Sequence, residues 1–125
     1  MGEVYQESFR DLVVWQRAVE MTTAVYRATE DFPKTEMFGL TSQLRRASVS
    51  VASNIAEGSG RDSVGEYRQF LGIARGSNRE VQTQIVISLA LGFGKGPSLL
   101  EAERCSLEVG KMLASMLRKQ QRGTR

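Results

Sequence analysis

GLTSQLRRASVSVASNIAEGSG, Gly39 to Gly60, is the stretch on which the reading of this chain turns. It holds no proline and, between Gly39 and Gly58, no glycine, so nothing in it interrupts a helix. On a helix that advances 100° per residue, Leu40, Leu44, Ala47, Val51 and Ile55 form one apolar stripe. Gln43, Arg46, Ser50, Asn54 and Glu57 recur at spacings of three and four along an adjoining edge. Val49, Ala52 and Ala56 occupy a third side. A helix with so little surface suited to water is expected to be covered on more than one side, with its polar edge paired and not solvated.

Working outward, Ser8 and Asp11 start a first helix predicted over about Asp11 to Asp31. Its leading stripe is Leu12, Trp15, Val19, Thr22, Tyr26 and Thr29, with Val14, Ala18, Met21 and Val25 as a second. Trp15 reads as a core anchor. Asp31-Phe32-Pro33 ends this helix, because proline removes a donor and disfavours helical geometry before it. Thr35 and Glu36 offer a short lead-in turn. Gly58-Ser59-Gly60 reads as a left-handed cap ending the central helix near Glu57. Ser63 and Glu66 form a capping box for a third helix over about Val64 to Leu91. Its main stripe is Tyr67, Phe70, Leu71, Ala74, Val81, Ile85 and Leu89, and Gly76 with Ser77 suggests close helix approach. The glycine-rich run Gly92 to Pro97 is a loop, and Ser98 with Glu101 caps a fourth helix over about Leu99 to Gln121. Four such helices on short loops predict an all-α, antiparallel up-and-down four-helix bundle. Residues 1–125 form one domain, with a loose arm over about 1–7 and a frayed basic tail over about 122–125.

The run LTSQLRRASVSVASNIAEGSGR, together with DLVVWQRA (Asp11–Ala18), DFPKTEMFGL (Asp31–Leu40) and EYRQFLGIARGSNREVQTQI (Glu66–Ile85), resembles a bacterial four-helix-bundle family. That family is the one found in intervening sequences of 23S ribosomal RNA genes, and the likeness spans roughly residues 8–92. The resemblance implies a bundle that assembles into a ring, typically a pentamer, and implies no established enzymatic activity. A more distant similarity in fold links it to the accessory protein of diversity-generating retroelements, a basic pentamer that works with nucleic acid.

Composition narrows the function classes. Histidine is absent, which removes His-based acid–base catalysis, Ser-His-Asp and Cys-His systems, and most transition-metal sites. The single cysteine, Cys105, rules out an intrachain disulfide, and its place on the apolar stripe of the fourth helix marks an inert buried thiol. No apolar run approaches the roughly 18 residues of a membrane span, and MGEVYQESF lacks the features of a signal peptide. A cytoplasmic, soluble protein without membrane contact is expected. Seventeen Lys and Arg against fourteen Asp and Glu give a net charge of +3, too mild by itself to demand a polyanion.

Two sets of residues stand out. Glu36, Gln43, Arg46, Ser50, Asn54, Glu57 and Glu80 read as a structural polar network, with Arg46 pairing Glu80 or Glu57. Used catalytically, Glu36, Glu57 and Glu80 would have to form a carboxylate site, but bundle metal sites also draw on histidine. No catalytic residue, metal or cofactor is expected. Arg45, Arg61, Arg68, Arg75, Arg79, Arg118, Lys119, Arg122 and Arg125 are candidate nucleic-acid contacts, weighed against a solvated surface balanced by Glu30, Asp31, Glu101, Glu103 and Glu108. The expectation is a non-enzymatic homo-oligomeric scaffold or interaction module. The alternative is an accessory protein that binds RNA or DNA weakly and without sequence preference.

Overall fold

The computed structural model describes residues 8–94 and 96–123, with side chains described up to residue 120. Four helices make up the fold: α1 (Val13–Thr29), α2 (Leu40–Ser59), α3 (Val64–Ala90) and α4 (Ser98–Gly123). Short 3-10 turns at Phe9–Asp11 and Lys34–Glu36 precede α1 and α2. Each helix packs against two neighbours, α1 on α2 and α4, α3 on α2 and α4, and among the described residues the backbones of the diagonal pairs do not approach closely. This is the antiparallel up-and-down bundle, a square of helices around one core.

The core is aliphatic. Leu44, Val51 and Ile55 of α2 meet Leu71, Val81 and Ile85 of α3, Met21 and Val25 of α1, and Leu99, Val109 and Leu113 of α4. Cys105 is fully buried among them, and burial pushes its thiol pKa up, as expected for an unreactive cysteine. The apolar stripe of α2 is therefore where the sequence places it.

Several local expectations are corrected. Ser8 accepts from the Arg10 N–H and caps the first 3-10 turn, and Leu12 is extended, so α1 starts at Val13 and not Asp11. In α1 the order of the two stripes is reversed. Val14, Ala18, Met21 and Val25, with Ala24 and Ala28, face the core, while Trp15 is half-buried at its rim and Tyr26 is exposed. Alanines let neighbouring backbones approach, so the bulky rings sit at the edges, Trp15 edge-on to Phe9 and Tyr26 beneath Arg45. The basic tail stays in α4 to Gly123; the arm over 1–7 and the tail residues Thr124 and Arg125 lie outside the described residues.

The glycines also differ from expectation. Gly58 is not a left-handed cap: it is helical and buried, and an added Cβ would lie 2.9 Å from the Phe70 Cβ. α2 and α3 approach closely here, beside the turn that joins them. Gly76, expected at a close contact, has no heavy atom within 4 Å of an added Cβ, and Gly72 is equally open. Left-handed backbone occurs at Gly92, Gly94 and Gly96 in the α3–α4 loop, with φ of 75°, 78° and 96°.

These environments give opposite outcomes for one substitution. Gly72→Ala gains up to about 1 kcal/mol of helix propensity and meets nothing. Gly58→Ala has the same gain but overpacks the α2–α3 contact, at a cost of about 1–3 kcal/mol. Thermal melts are expected to place Gly72→Ala above the parent and Gly58→Ala below Gly72→Ala.

Candidate functional site

The polar edge of α2 runs along the groove between α2 and α3. Ser50 and Ser77 share a hydrogen bond of 2.8 Å across that groove. The Asn54 amide donates to the Ser50 carbonyl at 2.8 Å and to the Ser50 hydroxyl at 3.0 Å. Gln84 Nε2 donates to Gln43 Oε1 at 3.4 Å, and its own Oε1 is buried without a partner among the described residues. Outside these contacts the groove opens into a hollow of about 470 Å³ lined by Gln43, Arg46, Gly76, Arg79, Glu80, Thr83 and Gln84.

The expected network is therefore only partly assembled. Ser50, Asn54 and Gln43 are brought into it, while Arg46 and Glu80 are exposed and neither forms an ion pair among the described residues. Glu57 is exposed and pairs with Arg61, one turn on. Glu36 serves the backbone instead. Its Oε1 accepts from the Leu40 N–H at 3.0 Å and supplies the cap that Gly39 cannot. From Leu40 to Glu57 the helix rises about 25 Å, so Glu36, Glu57 and Glu80 do not converge on one point. The edge lies beside the core and not within it, because Leu44, Val51 and Ile55 already fill the inward face of α2.

The buried polar contact lies elsewhere, between α3 and α4. Asn78 Nδ2 donates to the Ser106 carbonyl at 3.0 Å, and the Ser106 hydroxyl donates to Asn78 Oδ1 at 2.8 Å. Both residues are essentially inaccessible. Gly110 makes the room, since a Cβ there would stand 3.3 Å from the Asn78 amide nitrogen. The sign of this pair in the sequence is a gap: Leu71, Ala74, Val81 and Ile85 leave one core position between them, and Asn78 fills it.

The basic residues separate into two groups. Arg45 braces α1, donating from Nε to the Thr29 hydroxyl at 2.9 Å and lying 4.5 Å over the Tyr26 ring. Arg61 pairs with Glu57 and covers Phe70. Arg68, Arg75, Arg79 and Arg118 instead line two adjoining hollows in the α3–α4 groove, of about 400 and 390 Å³, together with Lys111. Lys111 stands seven residues from both Arg104 and Arg118, as Arg68 does from Arg75, a repeat visible in the sequence. Lys119 is exposed but lines neither hollow; the Arg122 side chain and Arg125 lie outside the described residues.

With this geometry in place, the comparison with known families is decisive: the profile of the 23S rRNA-intervening sequence protein family matches residues 10–115. The chain belongs to that family. The matched segment contains all seven residues of the expected polar network and stops short of Arg118. A crystal structure of a protein of unknown function from the S23 ribosomal protein family of Bacteroides thetaiotaomicron aligns with a TM-score of 0.73 at 19% identity. The alignment covers 83% of this chain and 97% of that one, and at this identity it speaks for the fold. No curated protein matches the sequence. Among the described residues, no helix is long and apolar enough to cross a membrane.

The two polar sites differ in what they contribute to stability. Ser106→Ala leaves the buried Asn78 carbonyl oxygen without its donor and is expected to cost about 1–3 kcal/mol. Glu57→Ala removes a largely exposed pair and is expected to cost less than about 1 kcal/mol. Urea denaturation of the two variants checks this order.

Proposed function

We propose that this protein acts as a homo-oligomeric helical scaffold, an interaction module and not an enzyme. The observation that supports it is the end of α3. Val86, Ile87, Leu89 and Leu91 are 58%, 43%, 40% and 57% exposed, and Leu100 at the start of α4 is 57% exposed. From Ile85 to Leu91 the helix carries no charge and is apolar on every side, a pattern suited to a helix covered all round. One bundle core accommodates only one of those sides.

The polar groove of α2 and α3 supports a second copy as the occupant. Arg46 and Glu80 have opposite charge, share the groove and form no ion pair among the described residues. The Gln84 Oε1 beside them lacks a donor there. A face that offers both signs and an unused acceptor carries groups that a neighbouring chain can pair. Gly76 leaves that face low enough for another helix to approach closely. In a closed ring this face meets a different face of the next copy, so every subunit is covered, and the family resemblance favours five copies. The separation of Glu36, Glu57 and Glu80 and the absence of histidine support a role without catalysis.

Light scattering on the full chain at micromolar concentration tests the proposal, with a closed oligomer as the expected result. Val86→Glu combined with Leu91→Glu is expected to yield monomers with unchanged helical circular dichroism, since both side chains are exposed in the single chain. A parent protein that is monomeric at that concentration overturns the reading.

A further inference from the structure

The cations of the α3–α4 groove form a site centred on the flank of α3 away from the groove proposed to meet a second copy; Arg79, at its edge, lines both. Arg68 and Arg75 on α3 face Lys111 and Arg118 on α4, and Arg79 continues the row. The floor between them is small: Gly72, Gly110 and Ala114. Among the described residues, no carboxylate lines either hollow. The ion-paired arginines among them are Arg17, Arg61 and Arg104, all outside this trench. Arg68 Nε is buried and meets no hydrogen-bond acceptor among the described residues.

Five like charges gathered along one trench repel one another, and a buried guanidinium N–H without an acceptor is costly. Both costs are relieved by an anion in the trench. Its dimensions specify what kind. From Arg68 to Arg79 the α3 axis rises about 16 Å, with cations about 10 and 6 Å apart along it. A compact anion can touch only two or three of them at once. A strand that carries a charge every few ångströms can meet them all. Four of the five are arginines, whose planar forks suit phosphate oxygens. Among the described residues no aromatic ring lines the trench for base stacking, and its apolar lining is limited to Leu107, Ala114 and Leu117, with no deep pocket to anchor a peptide side chain.

We propose that the α3–α4 trench binds the phosphodiester backbone of a nucleic-acid strand, without reading its bases. Each subunit presents Arg68, Arg75, Lys111 and Arg118 outside the groove proposed to meet a second copy, so binding does not require the oligomer proposed above.

The test uses the full chain with labelled oligouridylate of about 16 nucleotides, a duplex DNA of similar length, and polyglutamate and inorganic phosphate as competitors. If all five cations meet phosphates, the logarithm of affinity falls with the logarithm of salt at a slope of about −3.5 to −4.5. Between about 50 and 200 mM salt this is a loss of about 130- to 500-fold. Which of the two probes binds more tightly identifies a single strand or a duplex as the source of the phosphates. Arg68→Gln, Arg75→Gln, Lys111→Gln and Arg118→Gln combined are expected to abolish binding. Arg10→Gln, Arg27→Gln, Lys34→Gln and Lys119→Gln combined lower the charge equally outside the trench and are expected to retain most of it. Thermal melts and light scattering of both variants separate loss of the trench from loss of fold or assembly. The proposal is overturned if neither probe binds at the lower salt, if both variants lose binding alike, or if polyglutamate or phosphate competes as well as the oligonucleotides.

Discussion

The registration of α2 against α3 is the constraint on which the other surfaces depend. Three contacts set it. Gly58 admits the base of Phe70 next to the connecting turn, Ser50 meets Ser77 at mid-length, and Gln43 meets Gln84 toward the far end. Their spacing is that of two antiparallel helices packed without slippage. Once this register holds, Leu44, Val51 and Ile55 must point inward, and Arg46 and Glu80 must share the outer groove. The same register turns Arg68 and Arg75 toward α4, away from that groove.

The α3–α4 contact is held by different chemistry. Asn78 and Ser106 satisfy each other in a region that excludes water, where an unpartnered amide or hydroxyl would be costly. Only one register lets Asn78 reach both the Ser106 hydroxyl and the Ser106 carbonyl, and Gly110 is required for the approach. Aliphatic contacts alone would tolerate a shift along the helix axis more readily than this pair does. The buried polar pair thereby also fixes how Lys111 and Arg118 stand opposite Arg75 and Arg68.

Charge is distributed by use. Arg17, Arg61 and Arg104 sit within reach of carboxylates, and Arg45 rests on Tyr26 and Thr29. These four brace the bundle from its surface. The trench cations have no such internal role, which is why a net charge of only +3 conceals a local concentration of positive charge. Net charge sums over the surface, whereas recognition depends on which charges are neighbours.

Much of this was legible in the residues. The stripe Leu44, Ala47, Val51 and Ile55, the capping residue Ser63 and the breaks at Pro33 and Gly92–Pro97 are local signals, and each determined an element because backbone geometry and periodicity act within a few residues. The family was legible for the same reason, since its motifs are contiguous. What only the tertiary structure decided involved depth and neighbours. Periodicity shows that Trp15, Tyr26 and Val14 are apolar positions, but not that the alanine-rich side of α1 lies deepest. It aligns Arg46, Ser50 and Glu57 on one edge, but not that the edge borders a groove in which only some of its members find partners. Nor does it show that Asn78 is buried against Ser106, or that Lys111 joins Arg68 and Arg75. Those facts depend on which face of one helix meets which face of another, and that is settled by side-chain volume and polar satisfaction between segments far apart in the chain.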